Sequence, residues 1–152
     1  MAEDTSVAQQ LRQGRSVMVN TRGVSMRPLL WQGKTQVLIS PAARPLQVGD
    51  MPLMFVRPGL SRLHRVIRID GDIIYTRGDN CLVCEKTKTE DLLGVVTEIY
   101  RGKKQIPMEG LGYRLYRWIW LHSFPLRRVI YLVRNWILRI FQGVKRRVKN
   151  IL

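Results

Sequence analysis

Three side chains far apart in the sequence are suited to act together: Ser25, His64 and Asp79. A carboxylate bonded to an imidazole fixes its tautomer and stabilises the imidazolium, and the imidazole can then remove a hydroxyl proton. A local pattern brings the last two together. The run Arg65-Val-Ile-Arg-Ile-Asp70-Gly71-Asp72-Ile-Ile-Tyr-Thr76 sets Asp-Gly between two β-branched stretches, which predicts a hairpin with a two-residue turn. With Asp70 and Gly71 as the turn, Ile69 faces Asp72, Ile67 faces Ile74 and His64 faces Arg77. Asp79 then has the side-chain parity of His64, and diagonal neighbours on one face lie roughly 7–8 Å apart. Gly78, between them, can bend the strand. Ser25 lies in Gly23-Val-Ser-Met-Arg-Pro28, where Gly23 and Pro28 predict a constrained turn that presents the hydroxyl.

The elements that must hold these residues are short. Up to Pro107, β-rich runs alternate with Gly, Pro and Asp turns. Candidate strands are Ser16–Asn20, Gln36–Ser40, Pro52–Val56, Arg62–Ile69, Asp72–Thr76 and Leu92–Tyr100, the rhythm of a compact all-β domain. Three segments follow. Residues 1–15 are an arm with a short helix, capped by Asp4 or Thr5 and ended near Gly14. Residues 16–106 form the β domain. Residues 107–152 form a basic helical extension. In it Leu111–Leu121 reads as a helix rich in Tyr and Trp, and Pro125 opens a second helix. Apolar residues at Leu126, Val129, Ile130, Val133, Ile137, Ile140, Phe141, Val144 and Val148 keep the helical period.

Several short boxes share a resemblance. Ser25-Met26-Arg27-Pro28 resembles the Ser-Met-x-Pro box of signal peptidases and related S24/S26 serine peptidases. Leu63-His64-Arg65-Val66 resembles the His-Arg-Val box of the endoplasmic-reticulum and archaeal type, and Arg77-Gly78-Asp79-Asn80 that family's Gly-Asp-Asn box. Val48-Gly49-Asp50 with Leu53–Val56 resembles the strand between the first two boxes, and Leu93-Gly94-Val95-Val96 the strand that closes the domain. The boxes run in family order from Gly23 to Glu98. The resemblance implies a mainly β, SOS-repressor/signal-peptidase-like antiparallel domain that cleaves peptide bonds. It implies Ser25 as nucleophile, His64 where bacterial relatives use lysine, and Asp79 as third member, with Glu85 as its rival because some relatives carry a second acid there. Lys34 is too close to Ser25 to replace His64, and Lys86 follows the Asp box. The sequence departs from the pattern at Gly23, where many relatives carry an oxyanion-binding serine. Its polar residues 1–15 lead us to expect no N-terminal membrane anchor of the family's kind, and the helical extension lies outside the family's catalytic domain.

The composition bears on partners. Net charge is +15, which points to an anionic partner. Residues 111–152 contain ten Lys and Arg and no Asp or Glu. With Tyr113, Trp118, Trp120, Tyr131 and Trp136, they favour contact with an anionic membrane surface over plain packing, and plain packing over nucleic acid. Trp118–Leu126 is the longest uncharged stretch there, too short to cross a bilayer. Residues 1–15 are polar, which predicts no export and a cytoplasmic protein, peripheral at the inner face of the membrane. Cys81-Leu-Val-Cys84 has redox or half-metal-site spacing but no thioredoxin-like or second-pair context, and loop cysteines are its plainer reading. His122 has no evident partner. No cofactor or metal is expected.

The function expected is therefore a serine endopeptidase acting on leader or signal-like precursor peptides. The alternatives are a self-cleaving SOS-repressor-type regulator, or a peptidase fold that only binds peptides. The former normally carries a DNA-binding unit ahead of its peptidase domain and uses lysine as base.

Overall fold

The computed structural model describes residues 2–133 and 137, with side chains from Ser6 onward. The chain divides into two units, Met1–Arg117 and Trp118–Leu152.

The first unit is mainly antiparallel β, curled into a half-barrel. Helix α1 (Ala2–Arg12) comes first, starting ahead of the expected caps. Its chain reverses at Gly14, whose φ of +79° is a conformation that glycine adopts without a Cβ clash. The larger sheet contains β1 (Val17–Asn20), β2 (Thr35–Ser40), β3 (Pro52–Arg57), β4 (Leu60–Leu63), β8 (Leu92–Arg101) and β9 (Lys104–Ile106). Its order is β1-β2-β8-β3-β4, with β9 also paired to β8. The ten-residue β8 is thus the spine, bonded to β2, β3 and β9. A second sheet has the order β5 (Arg65–Asp70), β6 (Ile73–Arg77) and β7 (Glu85–Lys88).

The expected strand over Arg62–Ile69 is two strands in different sheets: β4 pairs with β3, and β5 pairs with β6. His64 is the residue at the joint. Strands β7 and β9 were not expected, because Glu85–Lys88 and Lys104–Ile106 are too charged and short to show a β-branched run.

One main core lies against the larger sheet. Leu11 of α1, Val37 and Ile39 of β2, Leu53 of β3, and Leu93, Val96 and Ile99 of β8 are buried together. The alternation in β2, buried at Thr35, Val37 and Ile39, is that of a strand with one face inward. Met26, Leu29 and Leu30, just after Ser25, enter the same core. A smaller cluster of Met54, Val66 and Ile74 lies between the sheets.

Helix α2 (Leu111–His122) begins in the first unit and runs into the second. Residues 124–133 and 137 are helical, one residue ahead of the start expected at Pro125. The expected apolar positions Ile140, Phe141, Val144 and Val148 lie outside the described residues. Among the described residues no helix is long and apolar enough to cross a membrane.

Candidate active site

The hairpin that carries the site differs in register from the sequence expectation, and the difference decides which side chains meet. Its loop is Gly71-Asp72, with Asp70 opposite Ile73. Gly71 takes a φ of +57° in the first loop position, where a two-residue hairpin favours glycine. Ile67 is then an extra residue, since Val66 pairs with Thr76 while Arg68 pairs with Tyr75. Beyond this bulge Arg65, not His64, stands opposite Arg77. Shifting a strand by one residue moves each side chain to the other face. Asp79 therefore shares a face with Arg65 rather than with His64.

The expected pairing of Asp79 with His64 is accordingly replaced by two other pairs. Asp79 is nearly fully buried, and its two oxygens accept from Arg65 Nε and Nη2, each at 2.8 Å. The hydroxyl of Tyr116, on α2, donates to Asp79 Oδ2 at 3.0 Å. Arg65 completes its set by donating to Gly49 O at 2.9 Å and to the Tyr113 hydroxyl at 3.3 Å. Burial alone would lower the Arg65 pKa, but the bonds and charge of Asp79 outweigh it and the guanidinium is held firmly charged.

His64 meets Glu85 instead. His64 Nδ1 lies 3.0 Å from Glu85 Oε2, while the other oxygen of Glu85 is bonded by Arg62. This pairing follows from position. His64 immediately precedes β5 and Glu85 opens β7, so both stand at the same end of the three-stranded sheet, where β6 ends at Arg77. With Nδ1 occupied by the carboxylate, Nε2 is the nitrogen left for a substrate-side proton. The His64 pKa is lowered, first by burial of the ring. Glu85 opposes this by charge and hydrogen bond, and Arg62 adds a smaller lowering. The ring is thus neutral at neutral pH, as a proton acceptor must be.

Ser25 is half-buried at the edge of the main core, anchored by the buried side chain of Met26. The segment from Gly78 to Asn80 holds it from the other side. Asn80 N–H donates to Ser25 O at 2.6 Å, and Asn80 Nδ2 donates to Val24 O at 3.2 Å. A Cβ on Gly78 would fall 2.7 Å from Ser25 O, 3.0 Å from Ser25 Cβ and 2.8 Å from Cys81 Sγ. Only glycine allows this approach. Gly23, with φ +79°, turns the chain into Ser25, and its N–H donates to Gln32 Oε1 at 3.0 Å. An open cavity of about 460 Å³ adjoins this turn, lined by Pro28, Leu29, Arg101, Ile106 and Tyr116 among others.

The segment 78–85 is thus bound to Ser25 at one end and to His64 at the other. No protein-family model matches the chain, and no curated protein matches it significantly. The structure brings His64 to Glu85 and Ser25 to the Gly78–Asn80 segment, and among the described residues no hydrogen bond joins the Ser25 hydroxyl to the His64 ring.

The remaining candidates lie close by or elsewhere. Cys81 and Cys84 are free thiols in the β6–β7 loop, and burial, followed by Glu85, raises the Cys81 pKa away from thiolate chemistry. Among the described residues no group of three or more His, Cys, Asp or Glu could hold a metal ion. His122 Nδ1 lies 2.8 Å from Trp118 O and its ring stacks on Trp118, contacts of a helix end. The sequence names Glu85 but gives no role here to Arg62 or Tyr116, and it places Tyr113 at a membrane surface, whereas the structure buries Tyr113 against Arg65. The signal for the tyrosines was the Tyr-x-x-Tyr spacing at the start of α2, which puts both rings on one helix face.

Proposed function

We propose that the chain is a serine endopeptidase with an S24/S26, signal-peptidase-like domain, and that it cleaves leader or signal-like precursor peptides. The observation that carries this reading is the His64–Glu85 bond, made by the same segment that clasps Ser25.

In this reading Ser25 Oγ is the nucleophile and His64 Nε2 its general base. His64 takes the hydroxyl proton as Oγ attacks the scissile carbonyl, then gives it to the leaving amine as the peptide bond breaks. Water, deprotonated by His64, attacks the acyl ester, and Ser25 recovers its proton as the new carboxyl terminus leaves. Glu85 fixes the imidazole and balances its charge in both transition states. Asp79, the third member expected from the resemblance, contributes through Arg65 and Asn80 by fixing the segment that holds Ser25. Gly23 offers no hydroxyl, so oxyanion binding falls to backbone N–H groups; a missing donor of that kind costs on the order of a hundredfold in rate.

Ser25→Ala and His64→Ala should each abolish cleavage in a peptide library read by mass spectrometry, with circular dichroism unchanged. Cleavage surviving in Ser25→Ala would overturn the assignment. A folded chain that cuts no peptide and resists a serine-directed fluorophosphonate would favour a domain that only binds peptides.

A further inference from the structure

The two helices beyond Gly110 each carry a stripe of exposed apolar side chains. On α2 the spacing Leu111, Leu115, Trp118, Ile119 defines one face, and all four are exposed, Leu111 at 83% and Trp118 at 60%. The opposite face carries Tyr113 and Tyr116, which bond Arg65 and Asp79. Along residues 124–133 and 137, the spacing Leu126, Val129, Ile130, Val133, Ile137 defines a second stripe. It too is exposed throughout, from 64% at Leu126 to 40% at Ile137. So many exposed large apolar residues at helical spacing mark an interaction surface rather than chance exposure.

The charge selects the partner. Residues 111–152 carry ten Lys and Arg and no acidic residue. Arg114 is exposed beside the α2 stripe, Arg128 is exposed on the far side of its helix from the second stripe, and Arg127 lies over the Trp120 ring at 4.4 Å from its centroid. A second copy of this surface would meet its own positive charge. A nucleic acid would satisfy the arginines but leave Leu, Ile and Val in water. An anionic bilayer satisfies both: apolar side chains and Trp rings enter the headgroup boundary, and arginines pair with lipid phosphates.

We propose that the outward stripes of these two helices dock the chain on anionic lipid bilayers, lying in the interface without crossing it. This does not rest on the peptidase reading, since flotation needs no Ser25 chemistry. The full chain is mixed with vesicles of phosphatidylglycerol and phosphatidylcholine, or of phosphatidylcholine alone, and floated on a density gradient. The expected result is flotation with the anionic vesicles only, reduced at high salt and equal for Ser25→Ala. Ile130→Asp, at an exposed position, should weaken partition by about tenfold, the loss of one inserted aliphatic side chain. Circular dichroism shows whether that variant keeps its helices, and the lipid and salt comparisons on the unaltered chain stand without it. No flotation with anionic vesicles, equal flotation with neutral ones, undiminished flotation of a helical Ile130→Asp, or RNA binding in place of flotation would each overturn the proposal.

Discussion

Replacing Glu85 by Gln removes one charge beside His64 and leaves a side chain of the same shape with an oxygen that can still accept from Nδ1. Its effect can be worked from the geometry. His64 Nδ1 and Glu85 Oε2 are 3.0 Å apart, and the charge centres of an imidazolium and a carboxylate in such contact are about 4 Å apart. At an effective dielectric of about 20, that attraction is worth about 4 kcal/mol. Glu85 is a quarter exposed and shares its charge with Arg62, so screening reduces the figure to about 2 kcal/mol. The imidazolium forms only as His64 takes the proton, so the loss falls on the transition state. Cleavage should therefore slow about 30-fold, at roughly 1.4 kcal/mol per tenfold.

The pH profile of the same variant gives an independent sign. The folded pKa of His64 lies below its ordinary 6.5, first because the ring is buried, while Glu85 raises it and Arg62 lowers it. The acid limb of kcat/KM in the unaltered chain thus has its midpoint below 6.5. Removing the Glu85 charge deletes the main raising influence and leaves burial and Arg62 opposed only by the smaller effect of Asp79, so the limb moves to lower pH. Stability follows the same logic. Below 6.5 the unfolded chain binds a proton that the folded chain refuses, so this contribution is complete above 6.5 and is lost as pH falls through the folded pKa. The assay is kcat/KM from pH 4 to 9 on the best-cleaved library peptide, beside an NMR titration of the His64 ring. An unchanged rate, or an acid limb displaced upward in Glu85→Gln, would refute the role given to this carboxylate.

Two further substitutions probe the parts that hold the site. Asp79→Ala leaves the guanidinium of Arg65 buried and uncompensated, which should cost about 3–5 kcal/mol in urea unfolding; a loss under about 1 kcal/mol would contradict the buried pair. Gly78→Ala pushes a methyl into Ser25 O and Cβ, and should cost about 1–3 kcal/mol as well as cleavage activity. Full activity in Gly78→Ala would mean that the two segments do not meet as described.

Much of this molecule was legible because its signals are local. The strands β2 and β8 carry β-branched residues at strand spacing, and β3 carries a continuous apolar run. Ser25 and His64 stand out in the sequence only as motif residues, and each is placed by one local event: a turn fixed by Met26, and a break between β4 and β5. What escaped is set by tertiary balance. Nothing in Arg65-Val-Ile-Arg announces that Ile67 will bulge, because a bulge is chosen by how the two ends of the hairpin are held, not by the residue that forms it. The end near Arg65 is held firmly. Val66 N–H donates to Asp50 O at 2.8 Å, Gly49 N–H donates to Val66 O at 2.8 Å, and Arg65 binds Gly49 O. The distal end is held by its Gly71-Asp72 loop.

With that loop and no bulge, His64 would stand opposite Asp79, and Arg65 opposite Gly78. The extra residue at Ile67 moves the pairing by one, turning Arg65 toward Asp79 and leaving His64 for Glu85. The exchange is sound energetically. An arginine that is nearly fully buried requires a bidentate carboxylate, whereas a neutral imidazole can share a partly exposed one with Arg62. The strongest charge pair thus takes the driest position, and the catalytic reading of His64 depends on the carboxylate that remains.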